Sequence, residues 1–161
     1  GGAHGKRCLT LVRRLPARRC VGYGRGRGGG VLARGPPASG LVTGKRTRET
    51  EFAADEHRSY NRKGEAFDKG ETFAGVDFET GLAAVEELRP LVPAGATMAQ
   101  MALRWILMFD AVTATIPGAR RPSQAEDNIS AAGLPPLSDA AMAEIRAIYD
   151  RHIRAPVEGW W

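Results

Sequence analysis

Arg120 and Arg121 stand between a Pro117-Gly118 turn and Pro122, an arrangement that suits an anion. The β-branched run Val112 to Ile116 reads as a buried strand, Pro117-Gly118 stops it, and Pro122 fits the first turn of a new helix. Both guanidinium groups would then lie where unsatisfied backbone N–H groups and the helix dipole already favour negative charge. A second segment far upstream offers related chemistry. Val31 to Arg34 reads as a short apolar strand, and the loop behind it holds Pro36, Pro37, Ser39, Gly40, Leu41, Thr43, Gly44 and Lys45. Such a loop presents backbone amides and hydroxyls to a pyrophosphate, with Lys45 supplying a charge. Taken singly, each segment is equally a surface turn with solvated cations; taken together, they suggest two phosphate contacts of one nucleotide.

The elements that must hold these loops are legible between and after them. Phe78, Leu82, Val85 and Leu88 recur at helical spacing behind Asp77 as a cap, and Pro90 ends that helix. Thr97 and Gln100 have capping-box spacing and open a second helix. Its Met98, Met101, Ala102, Leu103, Trp105, Ile106 and Leu107 leave little polar surface, so it should be buried, with Met and Trp serving the core. Ser138 reads as the cap of a terminal helix, with Leu137 and Met142 as a hydrophobic staple and Met142, Ile145 and Tyr149 on one face. The charged stretch 55–67 between the two strands carries no motif of its own.

In content and order, residues 31 to 156 resemble part of the aldo-keto reductases. The 31–45 segment resembles the family's Pro-Leu-x-x-Gly-x-Leu-Thr-Gly-Lys pattern after the seventh barrel strand, with Pro37 where Leu is usual. That swap removes a backbone donor and stiffens the turn. The 112–128 segment resembles the last strand and following helix, whose arm grips the adenosine 2′-phosphate of NADPH. The resemblance implies an α/β fold, the C-terminal portion of a (β/α)8 TIM barrel. It further implies a cofactor set of Pro36, Ser39, Gly40, Leu41, Lys45, Pro117, Gly118, Arg120, Arg121, Gln124, Asp127 and Asn128. Arg120 and Arg121 would meet the 2′-phosphate, and Gln124 and Asn128 the adenine edge. The family's activity is NADPH-dependent reduction of small-molecule carbonyls, aldehydes and ketones. Its catalytic Asp, Tyr, Lys and His come from the first half of the barrel, and this sequence has no match to that half. His57, Tyr60 and Lys63 lie close together in the charged linker, without an Asp on a facing element, and are expected to have no catalytic role. A closed barrel takes about 250 residues, so 161 residues imply an incomplete one, inactive alone and prone to self-association through unpaired strand edges.

Composition divides the chain. The first 48 residues hold twelve of the 23 basic residues and none of the 18 acidic ones, so the net charge of +5 joins a strongly basic start to an acidic remainder. Residues 1–30 read as a low-complexity Arg/Gly segment, disordered or out of frame. Gly24, Gly26 and Gly29 match G-x-G-x-x-G spacing without the flanking strand and helix that give the pattern meaning. An Arg/Gly tail that binds nucleic acid and a structural half-barrel that pairs with another chain are the alternatives; nucleic acid is the less favoured partner. Cys8 and Cys20 have no metal-ligand spacing. With no apolar run long enough for a bilayer and no secretory signal, the expected setting is the cytoplasm. Residues 157–161 form an aromatic tail ending in Trp160-Trp161.

Overall fold

The computed structural model describes residues 5–8, 10–11, 31–34, 38–69 and 72–157. Pro36, Pro37, the Arg/Gly tract and the Trp160-Trp161 tail lie outside them. Three parallel strands form the sheet in the order β1 (Gly5–Cys8), β2 (Val31–Arg34), β3 (Val112–Ile116). The pairing of β1 with β2, and the burial of Leu11 in the core, bring residues 5–8 and Leu11 into a fold that the sequence reading began at Val31. Val157 is buried in the same core.

The helices follow in chain order: α1 (His57–Tyr60), α2 (Phe78–Leu88), α3 (Met98–Leu107), α4 (Pro122–Ser130), α5 (Asp139–Ile148) and α6 (Arg154–Val157). Their starts obey local chemistry. Asp77 accepts the Thr80 N–H at 3.1 Å, and Ser138 accepts that of Ala141 at 3.2 Å. Thr97 and Gln100 complete a reciprocal capping box, with Gln100 N–H on Thr97 Oγ1 at 3.2 Å and Thr97 N–H on Gln100 Oε1 at 2.8 Å. α3 is buried as expected through Met101, Ala102, Trp105 and Ile106, and Trp105 meets Phe109 edge-on at 4.7 Å. It joins α2, α5 and the turn Leu41–Thr43 in one apolar cluster.

β3 departs from expectation. It is half-buried to exposed throughout, and Ile116 is 52% exposed. The strand lies at the edge of the sheet, with β2 as its neighbour, so apolar side chains chosen for a two-sided environment are covered only in part. Its register is also irregular: Val31 pairs with Val112 but Leu32 with Ala114, and the skipped Thr113 turns its hydroxyl to accept the Val31 N–H at 3.2 Å.

Candidate functional site

Arg34 at the end of β2 is paired with Ile116 at the end of β3, so the two anion-suited loops leave the same end of the sheet side by side. This is the C-terminal end of parallel strands, where α/β folds place their ligands. α3 braces both loops from behind. Gly44 has φ +68°, and a Cβ there would stand 3.2 Å from Met98 Cβ. On the other side, Gln100 Nε2 donates to Ser130 Oγ at 2.8 Å and to Asp127 O at 3.3 Å, tying the start of α3 to the end of α4.

In the first loop Ala38, Ser39 and Gly40 all have positive φ, at 47°, 57° and 88°. Such a run costs conformational energy in the two residues that carry a Cβ, and it persists because the surroundings hold it. Leu41 is fully buried and gives its N–H to Ala38 O at 3.1 Å, so it anchors the turn. Thr43 closes it from the other side, its hydroxyl donating to Gly40 O at 2.6 Å. Ser39 Oγ accepts the Phe73 N–H at 3.3 Å and lies 3.5 Å from His57 Nε2, while Ser39 O accepts from Arg58 Nη1 at 3.4 Å. Phe73, Ala74 and Gly75 are themselves a second run of positive φ, at 49°, 56° and 79°. Lys45 is exposed beyond the turn.

The linker, which carries no motif of its own, is tied to the first loop through aromatic and arginine contacts. Phe52 packs against Phe73 and Phe78, and the guanidiniums of Arg58, Arg46 and Arg62 lie 4.8, 5.3 and 5.4 Å from its ring centre. Arg58, with a side chain only 14% exposed, is paired with Glu56. Arg46 Nε is buried without a hydrogen-bond partner. A Cβ on Gly40 would lie 3.5 Å from Arg58 Nη1 and 3.8 Å from Arg46 Nε, so both guanidiniums converge on the Gly40 turn. Asn61, fully buried, shapes the linker by accepting the Ala66 and Phe67 N–H groups at 2.8 and 2.9 Å. Sequence reasoning missed Arg46 and Arg58; arginines interleaved with Phe52, Tyr60 and Phe67 were the available signal. It also missed Gly81, whose signal was an isolated glycine inside a helical pattern: a Cβ there would stand 2.6 Å from Leu41 Cδ2.

In the second loop, Arg121 is the residue before α4 and Pro122 its first residue. Arg120 and Arg121 are exposed, and among the described residues neither guanidinium has an acidic partner. Gln124 Oε1 accepts the Arg120 N–H at 2.7 Å, and Asn128 Nδ2 donates to Gly118 O at 3.4 Å. These two side chains hold the loop's shape. Pro117 is half-buried, Gly118 and Asp127 are exposed, and a Cβ on Gly118 would meet open space. His57 and Tyr60 share one short helix, and Lys63 follows it exposed. His57 contacts Ser39 and Phe67, and Tyr60 stacks edge-on with Phe67.

The donor set fits a dinucleotide phosphate: a positive-φ turn, an orphaned buried guanidinium nitrogen beside it, and two exposed arginines at a helix start that have no acidic partner among the described residues. Comparison with known proteins gives the family and the fold. The model of the aldo/keto reductase family matches residues 7–150. The chain is 34% identical over 126 residues to L-glyceraldehyde 3-phosphate reductase of Escherichia coli, covering 78% of this chain and 34% of that protein. It is 30% identical over 129 residues to an aldo-keto reductase of Bacillus subtilis, covering 79% and 36%. Among solved structures, a glycerol dehydrogenase from Gluconobacter oxydans superposes with a TM-score of 0.77 at 30% identity, over 99% of this chain and 46% of that one. An aldo-keto reductase from Bacillus halodurans shares the fold at a TM-score of 0.61 and 19% identity. The chain thus spans about a third of the curated relatives it matches. The family match reaches back to residue 7, into the segment set apart by its composition.

Proposed function

Because this chain belongs to the aldo/keto reductase family, we propose that it carries the NADPH-anchoring part of a carbonyl reductase and lacks the part that performs the proton transfer. The observation that carries this reading is the exit of both anion-suited loops from the C-terminal ends of adjacent parallel strands. Arg120 and Arg121 hold the 2′-phosphate; Ser39, Gly40 and Lys45, joined by Arg46 and Arg58, hold the pyrophosphate. When bound, the cofactor supplies hydride to the carbonyl carbon of an aldehyde or ketone. This chain's residues bind and orient it, but among the described residues no Tyr, Lys, His and Asp set stands ready to protonate the carbonyl oxygen. The Tyr60 hydroxyl belongs to an exposed aromatic pair with Phe67. Binding cannot replace a group that acts in the transition state.

The test is a pair of titrations and an assay on the whole chain. NADPH is expected to bind more tightly than NADH, with no turnover of a reactive aldehyde. Equal affinity for both cofactors would sink the anchoring reading. Robust turnover that falls sharply in Tyr60→Phe would instead restore the linker cluster as catalytic.

A second reading concerns assembly, and open strand edges favour it. The outer edges of β1 and β3 have no partner among the described residues, Ile116 and Ile129 are 52% and 74% exposed, and such surfaces promote association. Oligomers are expected in sedimentation at micromolar protein. A monomer that unfolds in one cooperative transition at every concentration would count against it.

No helix among the described residues is long and apolar enough to cross a membrane.

A further inference from the structure

We propose that Phe52 is a positioning residue of the pyrophosphate site: its ring holds the Arg46 guanidinium so that the Arg46 Nε–H stays unpaired beside the Gly40 turn and is given to a pyrophosphate oxygen. The inference rests on the reading that this turn holds a pyrophosphate, and it adds the donor and the group that aims it. Three guanidiniums surround the Phe52 ring, those of Arg58, Arg46 and Arg62 standing 4.8, 5.3 and 5.4 Å from its centre. They are not equivalent. Arg58 is engaged by the protein, its Nη1 donating to Ser39 O at 3.4 Å and its Nη2 to Glu56 Oε2, and Arg62 gives its Nε–H to Arg58 O at 3.0 Å from an exposed side chain. Arg46 Nε is buried and lacks a hydrogen-bond partner among the described residues. An unpaired charged donor out of reach of water is costly, so it persists only where the surroundings hold it in place, and an arriving acceptor is what satisfies it.

Phe52 supplies the hold. The face of an aromatic ring is negative and attracts a guanidinium without taking up its in-plane N–H groups, so Arg46 is fixed while its Nε–H remains available. The ring is itself fixed by Phe73 and Phe78, whose centres lie 5.9 and 5.7 Å away. Gly40 supplies the room. A Cβ there would lie 3.5 Å from Arg58 Nη1, 3.8 Å from Arg46 Nε and 3.9 Å from Arg46 Nη2, so the missing side chain leaves a space bordered by guanidinium nitrogens. The charge of the cluster selects the occupant. Three guanidiniums share the ring and one carboxylate, Glu56, is engaged by Arg58, which leaves an excess of two positive charges. A pyrophosphate diester carries the matching negative charge on oxygens that accept from a planar guanidinium.

The probe is NAD+, which carries the pyrophosphate and lacks the 2′-phosphate; adenosine 2′-phosphate, titrated in parallel against the whole chain, reports on Arg120 and Arg121. Arg46→Met keeps an apolar stem and removes the donor, and it is expected to weaken NAD+ binding about tenfold while leaving adenosine 2′-phosphate unchanged. Arg46→Lys keeps a charge but has no Nε–H, so it should recover only part of that loss. Phe52→Leu is expected to weaken NAD+ binding about two- to fivefold in the wild-type chain and to add nothing in Arg46→Met, because its effect passes through Arg46. Pentafluorophenylalanine at position 52 keeps the ring's shape while removing the negative potential of its face. It should reproduce the Leu result, and it stands in for that variant should the Leu chain fold poorly. Wild-type affinity in Arg46→Met, in Arg46→Lys or with the fluorinated ring overturns the proposal, as does a Phe52→Leu loss of equal size with and without Arg46. Parallel losses of both probes in Arg46→Met would mean that this arginine supports the fold, and overturn it too. If NAD+ fails to bind while adenosine 2′-phosphate binds, the proposal and the pyrophosphate reading fall and the Arg120–Arg121 reading stands. Binding of neither overturns all three.

Discussion

Alanine at both Arg120 and Arg121 is expected to weaken NADPH binding by about one to two orders of magnitude and to leave NADH binding nearly unchanged. Charge-assisted hydrogen bonds to an anion contribute about 1.5 to 3 kcal/mol each when partly buried. Both arginines are exposed, which places each at or below the low end. At 1.4 kcal/mol per tenfold, the pair together reaches the stated range. The structure supports a clean measurement, because the loop's shape does not depend on the two guanidiniums: Gln124 holds the Arg120 N–H and Asn128 holds Gly118 O. Calorimetric titration of each cofactor against each variant decides the matter. Equal losses for NADPH and NADH would mean that the arginines attract any anion, or support the fold, without reading the 2′-phosphate.

Gly81→Ala should destabilise the chain and disturb the first loop together. Alanine normally favours a helix over glycine by about 1 kcal/mol. At this position the new methyl would stand 2.6 Å from Leu41 Cδ2 and 3.0 Å from Leu41 Cδ1. Leu41 is the far end of a flexible side chain, but it is fully buried and has little room to retreat. Overpacking of this kind costs about 1 to 3 kcal/mol, which outweighs the propensity gain over most of its range. Leu41 directly follows Gly40, so a shift propagates into the turn proposed to hold the pyrophosphate. The expected result is a lower denaturant midpoint together with weaker NADH and NADPH binding. Leu41→Ala placed on the same chain should recover part of the loss, as contacting residues do not add. A more stable Gly81→Ala chain with unaltered cofactor affinity would show that helix propensity wins and that the close approach is relieved at no cost.

The sequence by itself determined what depends on neighbours along the chain. Asp77 with Thr80, Thr97 with Gln100 and Ser138 with Ala141 are caps between residues three apart, so residue type and spacing suffice to locate them. The apolar period of Met98 to Leu107 likewise fixed a buried helix, and Pro117, Gly118 and Pro122 fixed a strand, a turn and a helix start. The linker defeated that reasoning. Phe73 N–H reaches Ser39 across 34 positions, and Arg58 reaches the same residue across 19, in a stretch whose charges look merely solvated when read in order. The burial of β3 was also misjudged, since Val112 to Ile116 has the composition of a strand covered on both faces and yet lies at the edge of a three-stranded sheet. Only the tertiary structure decided which cations share one turn, how tightly Gly81 approaches Leu41, and that residues 5–8 pair with β2. Caps and periods are settled by contacts within one or two helical turns. Strand neighbours, and the company kept by an arginine, are settled by chain segments that meet only once the core has closed around them.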